Sequence, residues 1–137
     1  MRKDGMLTIA SLLSILFFTL HLADDIVHGM EPGTATNLTA LPIFVLWLYG
    51  TVVLAERRSG YIIMFLGSLL SLAAPILHMK GKGVGVASGI ATSSGGFFFV
   101  WTLIAIGVTG LFTLILSAQK LWSLQWRRTA APSSTSH

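Results

Sequence analysis

The stretch His21-Leu22-Ala23-Asp24-Asp25-Ile26-Val27-His28 gathers two imidazoles and two carboxylates in a chain otherwise poor in ionisable groups. On a helix these four polar side chains share one stripe about 100° wide, and Ser14 lies on the same stripe one heptad earlier. Nitrogen and oxygen donors of this kind suit zinc, copper, iron or manganese. Two histidines on facing helices can instead be the axial ligands of haem b, and imidazoles also respond to protons near neutral pH. Glu31 follows just beyond the stretch, and His78 is the histidine elsewhere in the chain that could join it.

The medium around these residues follows from composition. The 137 residues are 53% hydrophobic and 10% charged, whereas a soluble domain carries about 25% charged residues. A hydrocarbon core about 30 Å thick needs roughly 20 apolar residues of helix. Four segments qualify, at about 6–28, 38–55, 61–79 and 96–118. Lipid gives the backbone no hydrogen-bond partners, so the spans are expected to be helical. They lack the polar–apolar alternation of barrel strands. Met1-Arg2-Lys3 and the apolar run behind it resemble a signal peptide, but His21 stands where cleavage near Ala23 would need a small residue, so the segment is expected to stay as an anchor. The predicted fold is an all-α integral membrane bundle of four transmembrane helices with antiparallel up-down connectivity, over residues 1–128. A disordered cytoplasmic tail is expected over 129–137.

Charge sets the expected orientation. Arg2, Lys3, Arg57, Arg58, Lys120, Arg127 and Arg128 fall on one side of the spans, and Lys80 and Lys82 on the other. The positive-inside rule places the larger group, and with it both termini, in the cytoplasm of a multi-pass cell-membrane protein. The net charge of +4 is then read as contact with anionic lipid headgroups, not nucleic acid. Pro32 and Gly33 signal a turn after the first span, and the glycine-rich stretch 80–95 reads as irregular backbone.

This topology puts His78, at the end of the third span, at the depth of His21–His28. The candidate metal ligands are therefore His21, Asp24, Asp25, His28 and His78, and the haem candidates are His21, His28 and His78. A shared ion with bonds of about 2 Å needs imidazoles within about 5 Å of one another. Against this stands an ordinary ion-paired surface. Carboxylates near a helix C-terminus are disfavoured by roughly 0.3–1 kcal/mol each, and Lys80 and Lys82 are placed to compensate them. The absence of cysteine excludes thiolate zinc, iron–sulfur clusters and a cysteine nucleophile. No hydrolase triad or P-loop spacing occurs.

Small residues suggest how the helices meet. Gly67, Ser71, Ala74 and His78 share one face of the third span, and Gly110, Thr113 and Ser117 one face of the fourth. Pro75 is expected to kink the third span.

In length and span number the chain resembles the small multidrug transporters. Their essential acid lies inside the first span, where this apolar run has no carboxylate, so proton-coupled drug export is not implied. Short loops and scarce ionisable chemistry predict a non-catalytic scaffold or accessory subunit, bound to lipid and to a membrane-protein partner or a second copy. The alternative is a metal- or haem-binding protein with an outer-face His/Asp site. An oligomeric transporter or channel is less favoured, since no charged residue marks a path through the midplane.

Overall fold

The computed structural model describes residues 3–29, 33–80 and 96–129. Glu31, Lys82, the glycine-rich segment 81–95 and the tail residues 130–137 lie outside the described residues, as does the side chain of Lys80. All regular structure among the described residues is helical: α1 (Lys3–Val27), a 3-10 turn (Ala35–Thr39), α2 (Ala40–Val52), α3 (Arg58–Lys80) and α4 (Gly96–Thr129). Four helical segments are long and apolar enough to cross a membrane. The chain is a multi-pass membrane protein built as an all-α bundle.

The second span differs from its predicted limits of 38–55. Its α-helix has 13 residues and stops at Val52, which gives only about 20 Å of length. The five-residue 3-10 turn ahead of it adds roughly 10 Å, and the two together match the hydrocarbon core. Thr34 begins that turn, donating its backbone N–H to Asn37 Oδ1 at 3.0 Å. Gly29 and Gly33 hold the connection from α1 in left-handed conformations, φ 71° and 61°, which favour glycine.

The third and fourth spans are longer than the apolar runs that predicted them. α3 begins at Arg58, and α4 continues past Ala118 to Thr129. The roughly three extra turns of α4 stay helical because Leu121 and Leu124, with Leu116, pack on a buried cluster of Leu7, Tyr61 and Met64. α3 remains one helix through Pro75.

Cross-helix contacts fix the connectivity. His21 of α1 meets Thr102 near the start of α4, while Asp4 meets Lys120 near its end, so the two run antiparallel. Phe44 of α2 packs on Phe18 of α1 with ring centroids 5.6 Å apart, and Thr51 reaches Ser11. Helix α4 is the spine, packed along both α1 and α3. Helix α2 lies on the opposite side, against α1 and α3 and, among the described residues, out of contact with α4.

Without a hydrophobic drive between helices in lipid, close approach and hydrogen bonding must hold the bundle. Ser71 of α3 faces Gly110 of α4, where an added Cβ would lie 2.6 Å from the serine Cβ. Gly67 instead takes the indole of Trp47 from α2, so the small face predicted on α3 serves two neighbours. Trp47 Nε1 donates to Ser11 Oγ at 2.9 Å, and Ser11 and Thr51 share a hydrogen bond of 2.8 Å. Buried hydroxyls fill the interior, while Leu16, Val45, Leu66, Ile104 and Phe112 are more than half exposed. This inversion suits a bundle whose solvent is hydrocarbon.

Candidate metal centre

His21 and Asp25 are four residues apart and lie in one row of α1 turned into the bundle, 2% and 7% exposed. His78 enters from the last turns of α3. The rings of His21 and His78 meet edge to face with centroids 4.9 Å apart. Phe99 of α4, fully buried, packs against both rings, at 4.8 Å and 5.5 Å. Three helices thus position one cluster: α1 and α3 supply the donor atoms, and α4 supplies the wall.

The hydrogen bonds on the far side of each ring define which nitrogen faces the cluster. His78 Nδ1 lies 2.8 Å from the carbonyl oxygen of Ala74. A carbonyl only accepts, so Nδ1 carries the proton. His21 Nδ1 lies 3.2 Å from Thr102 Oγ1. The threonine hydroxyl donates to the Phe98 and Phe99 carbonyls, at 3.0 Å each, so its oxygen accepts from His21. With Nδ1 turned outward in each ring, Nε2 is the nitrogen that faces the cluster. Both Nε2 atoms turn toward the same carboxylate oxygen, Asp25 Oδ2, at 3.8 Å each. His21 Nε2 is buried and makes no hydrogen bond. One ligand atom from each of the three residues falls within 4.8 Å of the other two.

Two imidazole nitrogens and a carboxylate oxygen thus come together at one end of a cleft between α1 and α3. Such a point is favourable for a cation. At 3.8 Å the nitrogen–oxygen gaps exceed the 2.7–3.2 Å of an ordinary hydrogen bond. They are close to the roughly 3.3 Å that tetrahedral bonds of about 2.0–2.1 Å impose between neighbouring ligand atoms. The outward hydrogen bonds of both Nδ1 atoms are the second layer that orients metal-bound histidines.

Asp24 and His28, predicted alongside this trio, form their own pair. His28 Nδ1 sits 3.1 Å from Asp24 Oδ1 and 3.0 Å from the Asp24 carbonyl oxygen. His28 is exposed, in the turn that ends α1. The reason is helical periodicity: the 21/25 row and the 24/28 row stand about 60° apart around the axis. One predicted stripe therefore divides into two rows, both with a buried carboxylate, of which the 24/28 row ends in an exposed histidine. The compensation expected from Lys80 and Lys82 falls outside the described residues, and within α1 the histidine next in its row serves Asp24.

Sequence reasoning passed over Thr102 and Phe99. The start of α4 lies at the same end of the bundle as His21, and that shared depth was the available signal. Their facing the cluster depends on helix rotation, which the spacing within α4 does not fix. It also passed over a second polar centre at the opposite end. There Asp4 Oδ1 accepts from the Tyr61 hydroxyl at 3.2 Å and pairs with the Lys120 ammonium.

No protein-family model, curated protein or solved structure matches this chain.

Proposed function

We propose that this membrane protein binds one divalent transition-metal ion at His21, His78 and Asp25, near the end of the bundle away from the cytoplasm. The observation that carries the proposal is the shared direction of two Nε2 atoms toward one carboxylate oxygen, at 3.8 Å each, between α1 and α3. One nitrogen from each imidazole and one carboxylate oxygen lie within 4.8 Å of one another, a ligand set that a cation can share. Two imidazoles and one carboxylate suit zinc, iron or manganese better than a purely oxygen-seeking ion. Haem is less suited. The two rings pack edge to face on each other and on Phe99, and no slot for a porphyrin separates them. A scaffold or accessory role demands nothing of these side chains and leaves their convergence unexplained. The positive-inside rule supports the orientation, with Lys120 and Arg58 in the cytoplasm.

Equilibrium binding of Co²⁺ and Zn²⁺ to the full chain in non-ionic detergent tests this reading. One ion per chain is expected. His21→Ala, His78→Ala and Asp25→Asn should each abolish saturable binding, while His28→Ala should retain it. A wild-type chain that takes up no stoichiometric ion, or a His78→Ala chain that binds as the wild type does, would overturn it.

A further inference from the structure

The end of the bundle opposite the metal centre holds a cleft of its own. Helix α4 has 34 residues, roughly 51 Å at 1.5 Å per residue. That exceeds the roughly 40–45 Å of a bilayer with its headgroups. The apolar run of α4 ends at Ala118, and Lys120 is its first charged residue, so the turns from Lys120 onward stand at headgroup depth. Arg58, the first residue of α3, marks the same depth on the neighbouring helix. Between the two helices lies a cleft of about 210 Å³ lined by Arg58, Leu121, Leu124 and Gln125.

This lining changes character with depth. Leu121 lies one helical turn nearer the midplane than Gln125, roughly 6 Å. Leu121 and Leu124 are half-buried and pack on the Leu7, Tyr61 and Met64 cluster, whereas Arg58 and Gln125 are exposed. Trp122 and Trp126 belong to the same turns of α4 and are 68% and 64% exposed, and tryptophan favours this interfacial level. The cleft therefore offers polar groups at its outer rim and apolar ones beneath, the order in which a lipid presents its headgroup and its chains.

The sign of the charge picks out the kind of lipid. Lys120 is committed to Asp4, but among the described residues Arg58 forms no ion pair. Glu56, the acid nearest to it in sequence, does not line the cleft. A guanidinium is a planar fork that matches two oxygens of one phosphate, and the Gln125 carboxamide is a further donor. A phosphodiester carries one negative charge, which one arginine balances. A zwitterionic lipid brings an ammonium group as well, at the end of the chain where lysine and arginine outnumber acids, and that surplus disfavours it. We infer that the cleft between the start of α3 and the end of α4 holds one anionic glycerophospholipid, its phosphate on Arg58 and Gln125 and the head of an acyl chain on Leu124 and Leu121. The lipid joins two helix ends that no ion pair of Arg58 connects. The site shares no residue with the metal centre and stands or falls without it.

The test uses the full chain in non-ionic detergent, titrated with phosphatidylglycerol or with phosphatidylcholine of the same acyl chains, and native mass spectrometry counts the lipid retained. One phosphatidylglycerol per chain is expected, bound roughly tenfold tighter than phosphatidylcholine. Arg57→Gln and Arg58→Gln remove the same charge from adjacent positions, but only Arg58 lines the cleft. Arg58→Gln should therefore abolish the preference, and Arg57→Gln should keep most of it. If Arg58→Gln fails to fold, Gln125→Leu decides in its place, with weaker phosphatidylglycerol binding expected. Glycerophosphate in excess has the headgroup chemistry without the chains and should not displace the lipid. Equal retention of the two lipids would mean ordinary surrounding lipid and overturn the proposal. Equal losses in Arg57→Gln and Arg58→Gln would mean diffuse surface charge, and undiminished binding in Gln125→Leu would place the lipid elsewhere; either overturns the cleft. Displacement by glycerophosphate would reassign the site to a soluble phosphate. Co²⁺ binding by Arg58→Gln should equal that of the wild type, which keeps this result separate from the fate of the metal site.

Discussion

The two ends of the bundle each hold a carboxylate of α1 against side chains of other helices, and they treat it oppositely. At one end Asp4 faces donors: the Lys120 ammonium and the Tyr61 hydroxyl. Its charge is balanced by residues of the chain itself, and the contact ties α1 to α3 and α4. At the other end Asp25 Oδ2 faces the Nε2 atoms of two imidazoles whose Nδ1 atoms are held by Ala74 and Thr102. Both arrangements draw on the same three helices. The first pairs the carboxylate with donors of the chain, whereas the second brings a carboxylate and two imidazoles within 4.8 Å of one another. Structural ion pairs look like the Asp4 end, and the Asp25 end carries the ligand set proposed above for a metal ion.

The largest effects should come from removing a ligand at the acceptor end. His21→Ala is expected to weaken Zn²⁺ or Co²⁺ binding by at least 100-fold, about 2.7 kcal/mol, measured by calorimetric titration. Thermal unfolding in detergent gives a second readout. An ion at about 100 times its dissociation constant stabilises the folded chain by about 2.7 kcal/mol, and His21→Ala should lose that upward shift in Tm. An equal shift in the wild type and in His21→Ala would place the ion elsewhere and break the contrast between the two ends.

Next in size is Thr102→Val. The substitution keeps the shape of the side chain but removes the oxygen that accepts from His21 Nδ1. Loss of such an orienting partner typically costs 10- to 100-fold in metal affinity. The same variant should leave Asp4 and Lys120 undisturbed, so thermal stability without metal should change by less than the loss of binding implies. Unchanged affinity in Thr102→Val would mean that the ring of His21 is held by Phe99 packing alone.

The contrast between the ends also marks how far the sequence could be read. Four apolar runs sufficed for the fold, because a hydrocarbon solvent leaves the backbone few alternatives. The shared depth of His21 and His78 followed from counting spans and assigning alternate directions. The helix limits at Val52 and Thr129 were less legible. One span was lengthened by a 3-10 turn, and the other by leucines packed beyond the apolar window. The separate histidine partners of Asp24 and Asp25 were not legible because adjacent residues differ by about 100° in direction, and only the packing of α3 and α4 decides which carboxylate meets His78. Asp4 and Lys120 lie far apart in sequence, and no local pattern links them.

The smallest effect belongs to the self-satisfied end. Lys120→Met removes the ammonium from Asp4 and keeps much of the apolar stem. Both partners are partly exposed, with side-chain exposures of 24% and 31%, so solvent screens the pair and the expected loss is about 1 kcal/mol or less. Tyr61 still donates to Asp4 after the substitution, which limits the loss further. Metal affinity should be unchanged, since Lys120 stands at the opposite end of α4 from Thr102. Chemical denaturation in mixed micelles, paired with Co²⁺ titration of the same preparation, measures both quantities. A Lys120→Met chain that keeps its stability but loses its ion would mean that the ends communicate along α4, and the two carboxylate sites could no longer be treated as independent.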